Sequence, residues 1–482
     1  MPDGQMPHII IVGAGPGGYA AAFHAARSGA RVTLVEKNRM GGTCLHAGCI
    51  PTKTIQASAR ALETAGRLAE FGIVAGNAPA FAVDMAAVMA RKEKVRTILR
   101  TGLEKTCAGL KVRLVRGRAE LLAGPNVLVR TAGGTEPLSG AAVVLATGSR
   151  TLNLPALPVD HKRILDSDDI LNLTRIPPRL LVVGGGVIGC ELAFVFRAFG
   201  AGVTIVEALD RLLPVDAVDE EVSRLLLREA KKRGIAVLTG KTVRNAVVGE
   251  NGVRCAIGPS SYAGGAAGQS AEMEADVVLV AAGRTPDTEG LNLEAAGVAT
   301  DARGWIVADA AMRTSAEDVY AVGDALGPRR PMLAHTATAE GLCAADNCLG
   351  KKAVMDYGVI PSAIFTSPEI GVVGLSEARA AGQGIRARSS LVQYRELGKS
   401  HATGELPGFF KLVCEEGSGR VLGAHIIGAH AADIVAEAAL AARCGLAAAD
   451  IARTVHAHPT LAEGLHEAAR AWLSGGRQAG CG

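Results

Sequence analysis

Two stretches of this chain, HIIIVGAGPGGYAAAFHAARSGARVTLVEK (8–37) and RLLVVGGGVIGCELAFVFRAFGAGVTIVEA (179–208), follow one plan. In each, an apolar strand runs into a glycine turn, a helix of mostly small or apolar residues follows, and a second strand ends on an acid. Parallel strands joined by a crossover helix need both faces of the sheet covered, so two such units commit the chain to an α/β fold. In the first unit Gly13 permits the tight turn, Gly15 lets a pyrophosphate approach the backbone, and Gly18 lets helix and strand pack closely. The diphosphate then rests on the helix N-terminus, and Glu36 at the strand end accepts hydrogen bonds from ribose hydroxyls. A lone glycine fingerprint says little; the elements in order say much more. The second unit repeats the set with Gly184, Gly186, Gly189 and Glu207, and its bland reading is an α/β unit with no ligand. An acid at Glu207 would repel a 2′-phosphate, so this site should prefer NAD to NADP. Two dinucleotide sites in one chain imply that electrons pass from one dinucleotide to another.

The rest of the composition narrows the class. A chain of 482 residues suggests about three domains. A formal charge of +4 without long basic or acidic runs offers no support for a nucleic-acid or membrane-surface role. Residues 9–26 lack Lys, Arg, Asp and Glu and are just long enough to raise a membrane span, but the Gly-Pro-Gly-Gly interruption reads as strand, turn and helix. The first residues carry no basic stretch or small-residue cleavage site, so a cytoplasmic protein is expected. Ten cysteines in such a chain are not a disulfide framework. Cys107, Cys190, Cys255, Cys414 and Cys444 are expected to be reduced and buried.

Three further apolar strands end in small-residue turns: VVLATGS (143–149), VVLVAAGRTPD (277–287) and DVYAVGDA (318–325). These are places where backbone can approach a cofactor. Asp324 could bind a ribityl or ribose hydroxyl, or could equally be an ordinary helix N-cap.

GGTCLHAGCIPTK (41–53) sets Cys44 and Cys49 five residues apart, and AEGLCAADNCLG repeats that spacing at Cys343 and Cys348. In a regular helix such residues are separated by about 7.5 Å along the axis and point about 140° apart. That exceeds the usual Cα separation of a disulfide, roughly 4.4–6.8 Å. The 343/348 pair lies in an unbroken helical pattern and is expected to stay unbridged. Around 44/49, Pro51 lacks an N–H and would clash with the Ala47 carbonyl, and Gly48 loosens the same turn. The helix should therefore be spoiled between and just after the sulfurs, bringing them within reach. A helix N-terminus there would favour a thiolate. Zinc would want further Cys or His at ligand spacing, which His46 alone does not provide; no metal site is expected.

These residues, with the two glycine motifs, resemble the flavoprotein disulfide reductases, most closely the branch that oxidises dihydrolipoyl groups. The resemblance runs in order from about residue 8 to residue 472. It implies two Rossmann-like domains and a C-terminal α+β dimerisation domain. It implies FAD in the first pocket, held by Gly13, Gly15, Gly18, Glu36, Gly42, Thr43, Lys53, Gly117, Thr147, Gly148, Asp324 and Ala334. It places NAD in the second, at Gly184, Gly186, Gly189, Glu207 and Gly283. By the same carry-over Cys44 exchanges with substrate, Cys49 faces the flavin, and Lys53 pairs with Glu191 beside it. His46 stands where many members carry Asn, with a modest effect expected on the thiols.

TVHAHPTLAEGLHEAARAW (454–472) carries the remaining chemistry. Pro459 suits the first position of a helix and would push His458 into an extended conformation. Glu463 in the early turns could hold the imidazole in one tautomer, and imidazole titrates near neutral pH. The stretch resembles the family's HxHPTxxE signature, which makes His458 the acid–base residue and Glu463 its orienter. His456 could be structural or functional, and His466 is expected on an ordinary helix face. The resemblance also implies that this domain presents its His and Glu across a homodimer interface to the partner's cysteines.

The expected layout is an FAD domain (1–150), an NAD domain (151–280), a central segment returning to the flavin (281–350), an interface domain (351–474) and a flexible tail (475–482). The small-residue stretch 258–271 reads as a flexible hairpin loop inside the NAD domain. The activity expected is oxidation of dihydrolipoyl groups on a separate carrier, from a 2-oxo acid dehydrogenase complex or the glycine cleavage system. Mercuric, glutathione and thioredoxin reductases are the alternatives. No vicinal terminal cysteine pair is present for mercury, Cys481 lacks a partner for a terminal redox pair, and Glu207 and Val187 disfavour the glutathione type. A degenerate, non-catalytic flavoprotein would be expected to lack one of Cys44, Cys49, His458 or Glu463.

Overall fold

The computed structural model describes residues 6–74, 81–264 and 268–475. The chain divides into two compact units. One comprises Met1–Leu152, Ser167–Arg175 and Gly283–Tyr357, and the other Asn153–Asp166, Ile176–Ala282 and Gly358–Gly482.

In the first unit, strand His8–Val12 lies at the centre of a five-stranded parallel sheet, with Arg31–Glu36 and Arg113–Arg116 on one side and Ala142–Leu145 and Val319–Ala321 on the other. Ile9, Ile10 and Ile11 are fully buried, as a continuous apolar run must be when both faces are covered. The supposed span at 9–26 is accordingly strand, glycine turn and helix Pro16–Arg27, and no helix among the described residues is long and apolar enough to cross a membrane. Helix Ala334–Cys348 packs on helix Pro16–Arg27 at unusually close range: a Cβ on Gly341 would stand 2.3 Å from the Gly17 carbonyl oxygen. A three-stranded antiparallel meander spans Arg118–Leu121, Asn126–Thr131 and Gly134–Ser139.

The second unit contains the repeat. Strand Arg179–Val183 is central to a five-stranded parallel sheet, flanked by Gly202–Val206 and Ala236–Leu238 on one side and Val277–Val280 and Ile164–Leu165 on the other. The small-residue stretch 258–271 joins two antiparallel partners, Gly252–Pro259 and Ala271–Ala275, and overlaps the ends of both; residues 265–267 lie outside the described residues. The C-terminal part is a five-stranded antiparallel sheet ordered Ser362–Ile364, Glu369–Gly374, Val421–Gly428, Phe409–Glu415, Ala387–Gln393. Its core joins Tyr394, Phe410, Leu412 and Ile426 to helices Ala431–Arg443 and Glu463–Leu473.

Of the five cysteines expected to be buried, Cys107, Cys190, Cys255 and Cys414 are; Cys444 is exposed, because it caps the C-terminus of helix Ala431–Arg443. The proposed tail, with Cys481, falls outside the described residues beyond Gly475.

Candidate active site

The two glycine turns have nearly superimposable chemistry. Gly13 has φ +103°, and a Cβ there would lie 2.3 Å from the Ala146 oxygen; Gly184 has φ +112°, with the Ala281 oxygen at 2.4 Å. A Cβ on Gly18 would meet the Gly13 oxygen at 1.8 Å, and one on Gly189 the Gly184 oxygen at 1.9 Å. These outer glycines are demanded by packing. The middle ones are not: Gly15 has only Gly42 Cα at 3.9 Å, and Gly186 has nothing within 4 Å. Each therefore leaves room beside an uncapped helix N-terminus, a site suited to a diphosphate.

The terminal acids match as well. Glu36 accepts the Ala14 and Asn38 N–H groups, both at 2.7 Å. Glu207 accepts those of Gly185 at 2.6 Å and Leu209 at 2.7 Å. Both carboxylates are buried, and each keeps lone pairs for ribose hydroxyls.

Other positions expected around the first turn are placed as follows. Thr147 Oγ1 is buried without a hydrogen-bond partner among the described residues, and Gly148 follows with φ +75°. Asp324 Oδ2 accepts from Ser149 Oγ at 2.7 Å, so Asp324 is engaged by a side chain, and the turn that contains it caps through the Val322 backbone. Ala334 opens helix Ala334–Cys348, which has no side-chain cap. Gly117 has a packing reason to be glycine, since a Cβ would lie 2.5 Å from the Arg130 oxygen. Gly283 has φ +135° and begins the last segment of the first unit.

The cysteine segment sits directly on the first glycine turn. Gly41 N–H donates to the Ala14 oxygen at 2.8 Å, and a Cβ on Gly42 would approach Gly15 Cα to 2.6 Å. Thr43 and Cys44 then lie in the short helix Gly42–His46, while Cys49 opens the 18-residue helix Cys49–Gly66. Ala47 and Gly48, with φ of −146° and −145°, interrupt the helix between the sulfurs. The expected disruption after Cys49 does not occur. Pro51 falls in the first turn of the new helix, where no N–H is required.

Cys44 is half-buried, Cys49 exposed, and no disulfide joins them. The Cys44 thiol is pushed up, first by its hydrogen bond with Cys49 and then by burial, while the Lys53 ammonium pulls the other way. Lys53 is one turn beyond Cys49 on the same helix. His46 Nε2 lies 2.8 Å from the Met40 oxygen and Nδ1 lies 3.2 Å from Arg96, and burial lowers its pKa.

In the second unit Glu191 is buried and accepts the Phe365 N–H at 2.9 Å. His458 Nδ1 lies 2.9 Å from Glu463 Oε1, with the ring 75% exposed. Glu463 Oε2 accepts the Thr460 N–H at 2.8 Å, and this bond, then His458, holds the carboxyl below its ordinary range. The helix starts at Glu463 itself, not at Pro459. Glu463 reaches back over residues 460–462, so the local turn it caps displaces the start by four positions.

The pyridine nucleotide-disulphide oxidoreductase family matches residues 7–341, and its dimerisation domain matches residues 360–469. The chain belongs to this family. It is 39% identical over 464 residues to the dihydrolipoyl dehydrogenase of Haloferax volcanii, covering 96% of this chain and 95% of that one. The corresponding protein of Geobacillus stearothermophilus is 38% identical over 464 residues, covering 96% of each. Among solved structures it is similar to LpdA from Mycobacterium tuberculosis, with TM-score 0.88 and 26% identity over 97% of this chain and 100% of that one.

Several features of this oxidoreductase were not apparent from its motifs. His456 is half-buried and bonded at both ring nitrogens: Nε2 lies 2.9 Å from Glu437 Oε1 and Nδ1 lies 2.9 Å from the Thr454 oxygen. His466 is not on an open helix face but packs against the His456 ring at 5.0 Å. Ser149 and Arg284 support Asp324, and Arg96 supports His46. The Ser149, Arg284 and Arg96 contacts join residues 50 or more positions apart, so no local signal marks them. Among the described residues no group of three or more His, Cys, Asp or Glu could hold a metal ion.

Proposed function

We propose that this chain is a dihydrolipoyl dehydrogenase, passing two electrons from a protein-bound dihydrolipoyl group to NAD through FAD and the Cys44–Cys49 pair. The observation that carries this reading is the seating of an interrupted-helix thiol pair on the first glycine turn, through Gly42 against Gly15. Curated relatives carrying that name span nearly the whole chain. FAD fits the first unit, where the open space at Gly15, the Glu36 carboxylate and the unpartnered Thr147 hydroxyl suit diphosphate, ribose and a further polar group. NAD fits the second, where Glu207 would repel a 2′-phosphate.

In the oxidised protein Cys44 and Cys49 share a disulfide. One lipoyl thiolate attacks Cys44 Sγ, forming a mixed disulfide and releasing Cys49 as thiolate. The second lipoyl thiolate attacks the lipoyl sulfur of that bond, forming the lipoyl disulfide and releasing Cys44. His458 takes the thiol protons, and Glu463 keeps its Nδ1 side engaged so that Nε2 is the working nitrogen. A thiolate on Cys49 lies at a helix N-terminus, which favours negative charge. Bound FAD supplies the two-electron relay from the dithiol pair to NAD.

The dimerisation-domain match supports a homodimer, and in this reading His458 and Glu463 serve the partner's cysteines. The proposed partner is a lipoyl-bearing carrier, and the buried free thiols suit a reducing compartment such as the cytoplasm. The test is NADH formation from dihydrolipoamide and NAD, beside Cys44→Ser and His458→Ala. Rapid turnover lost in both variants supports the reading. A flavin-loaded protein reducible by NADH but inert to dihydrolipoamide would redirect it to another disulfide.

A further inference from the structure

One buried carboxylate in the first unit has no part in the chemistry above. Glu340, in helix Ala334–Cys348, is 1% exposed. Its Oε2 accepts the Gly323 N–H at 2.6 Å, and its Oε1 accepts the Tyr357 hydroxyl at 2.6 Å. Arg330 donates to that hydroxyl at 2.9 Å and to the Ala308 and Asp309 carbonyls, with its guanidinium 5.2 Å from the Tyr357 ring centre. Burial raises the Glu340 carboxyl, while Tyr357, the Gly323 N–H and Arg330 oppose that shift.

Gly323 immediately precedes Asp324, the proposed FAD ligand. Asp324 is gripped from its other side, where Arg284 Nε donates to Ser149 Oγ at 2.6 Å and Ser149 donates to Asp324 Oδ2 at 2.7 Å. The turn is thus clamped at one residue through its backbone and at the next through its side chain. The same helix that carries Glu340 packs on the diphosphate helix Pro16–Arg27 through Gly341 and Gly17. Glu340 therefore ties the Asp324 turn to the helix pair beneath the first glycine turn.

We propose that Glu340, with Tyr357 and Arg330 behind it, is a positioning residue for the flavin, acting by holding the Gly323–Asp324 turn where Asp324 meets FAD. The proposal rests on the FAD reading of the first unit. Its specificity lies in the route: Glu340 acts through Asp324 and not through general stability of the fold.

The test is a double-variant cycle on the holoenzyme, reading FAD release by free-flavin fluorescence and the absorption maxima of bound flavin. Glu340→Gln keeps the shape but removes a charge-assisted acceptor, and should speed FAD release about tenfold or more with shifted maxima. Tyr357→Phe leaves Glu340 in place and should speed it about threefold to tenfold, so it carries the test if the first variant misfolds. Glu340→Gln combined with Asp324→Asn should release FAD about as fast as Asp324→Asn alone. Additive effects, or variants with wild-type release and spectrum, overturn the proposal. A wild-type protein that holds no FAD overturns the reading beneath it as well.

Discussion

Cys44/Cys49 and Cys343/Cys348 share one spacing and meet opposite fates. The second pair lies in the unbroken helix Ala334–Cys348, and both sulfurs are buried. Burial pushes the Cys348 thiol up to about 12, and raises Cys343, which lies beside Asn347 and three nearby carboxylates. The first pair straddles a break at Ala47–Gly48, so its thiols meet in a hydrogen bond beside the glycine turn. Spacing alone does not make a redox pair. An interrupted backbone does, by cancelling the axial rise that holds helical residues apart.

The sharpest way to break this contrast is substitution at both pairs. Cys44→Ser or Cys49→Ser should lower dihydrolipoamide turnover by at least about a thousandfold, since the covalent route needs both sulfurs. Equal losses at Cys343→Ser would show that the buried pair also carries electrons.

A smaller loss is expected at the base proposed for the first pair. His458→Ala should lower kcat by about 10²–10⁴, read by steady-state kinetics against pH. Glu463→Gln should cost less and reshape the acid side of the profile. The Glu463 carboxyl is held below its ordinary value of 4.5 in the folded protein, so its contribution is complete above that value and is lost as pH falls through the lower, folded one. Wild-type activity lost between pH 5 and 6 through this carboxyl would contradict the sign.

Gly48→Ala tests the break directly. A Cβ there would stand 3.1 Å from the Thr43 oxygen. A stability loss of about 1–2 kcal/mol from this crowding is expected, with slower thiol–disulfide exchange measured by stopped-flow reduction. Unchanged exchange would show that the interruption does not depend on this glycine.

The smallest kinetic effect is predicted for Cys343→Ser and Cys348→Ser. A hydroxyl in these buried positions should cost about 1–3 kcal/mol of stability, seen as a lower Tm, while kcat stays within about twofold. The pair would then be packing and nothing more.

What the chain announced by itself was whatever a few neighbouring residues can impose. The strand–glycine–helix–strand–acid units are legible because Gly18 and Gly189 face a carbonyl five residues back in their own turn, and Gly13 and Gly184 hold that turn at positive φ. The contrast between the cysteine pairs was legible in part, since Gly48 lies in the break itself, whereas Pro51 falls in the first turn of the next helix and does not disrupt it. The helix start at Glu463 was missed because a side-chain bond to Thr460 outweighed proline's preference. Tertiary structure alone decided the rest. His456 is bonded to Glu437, 19 residues away; Asp324 is held by Ser149, 175 residues away; and Glu340 is fixed by Gly323 and Tyr357 from two different segments. The physical reason is that backbone constraints act within a turn, whereas a buried polar group must be satisfied by whichever partner the folded chain brings to it.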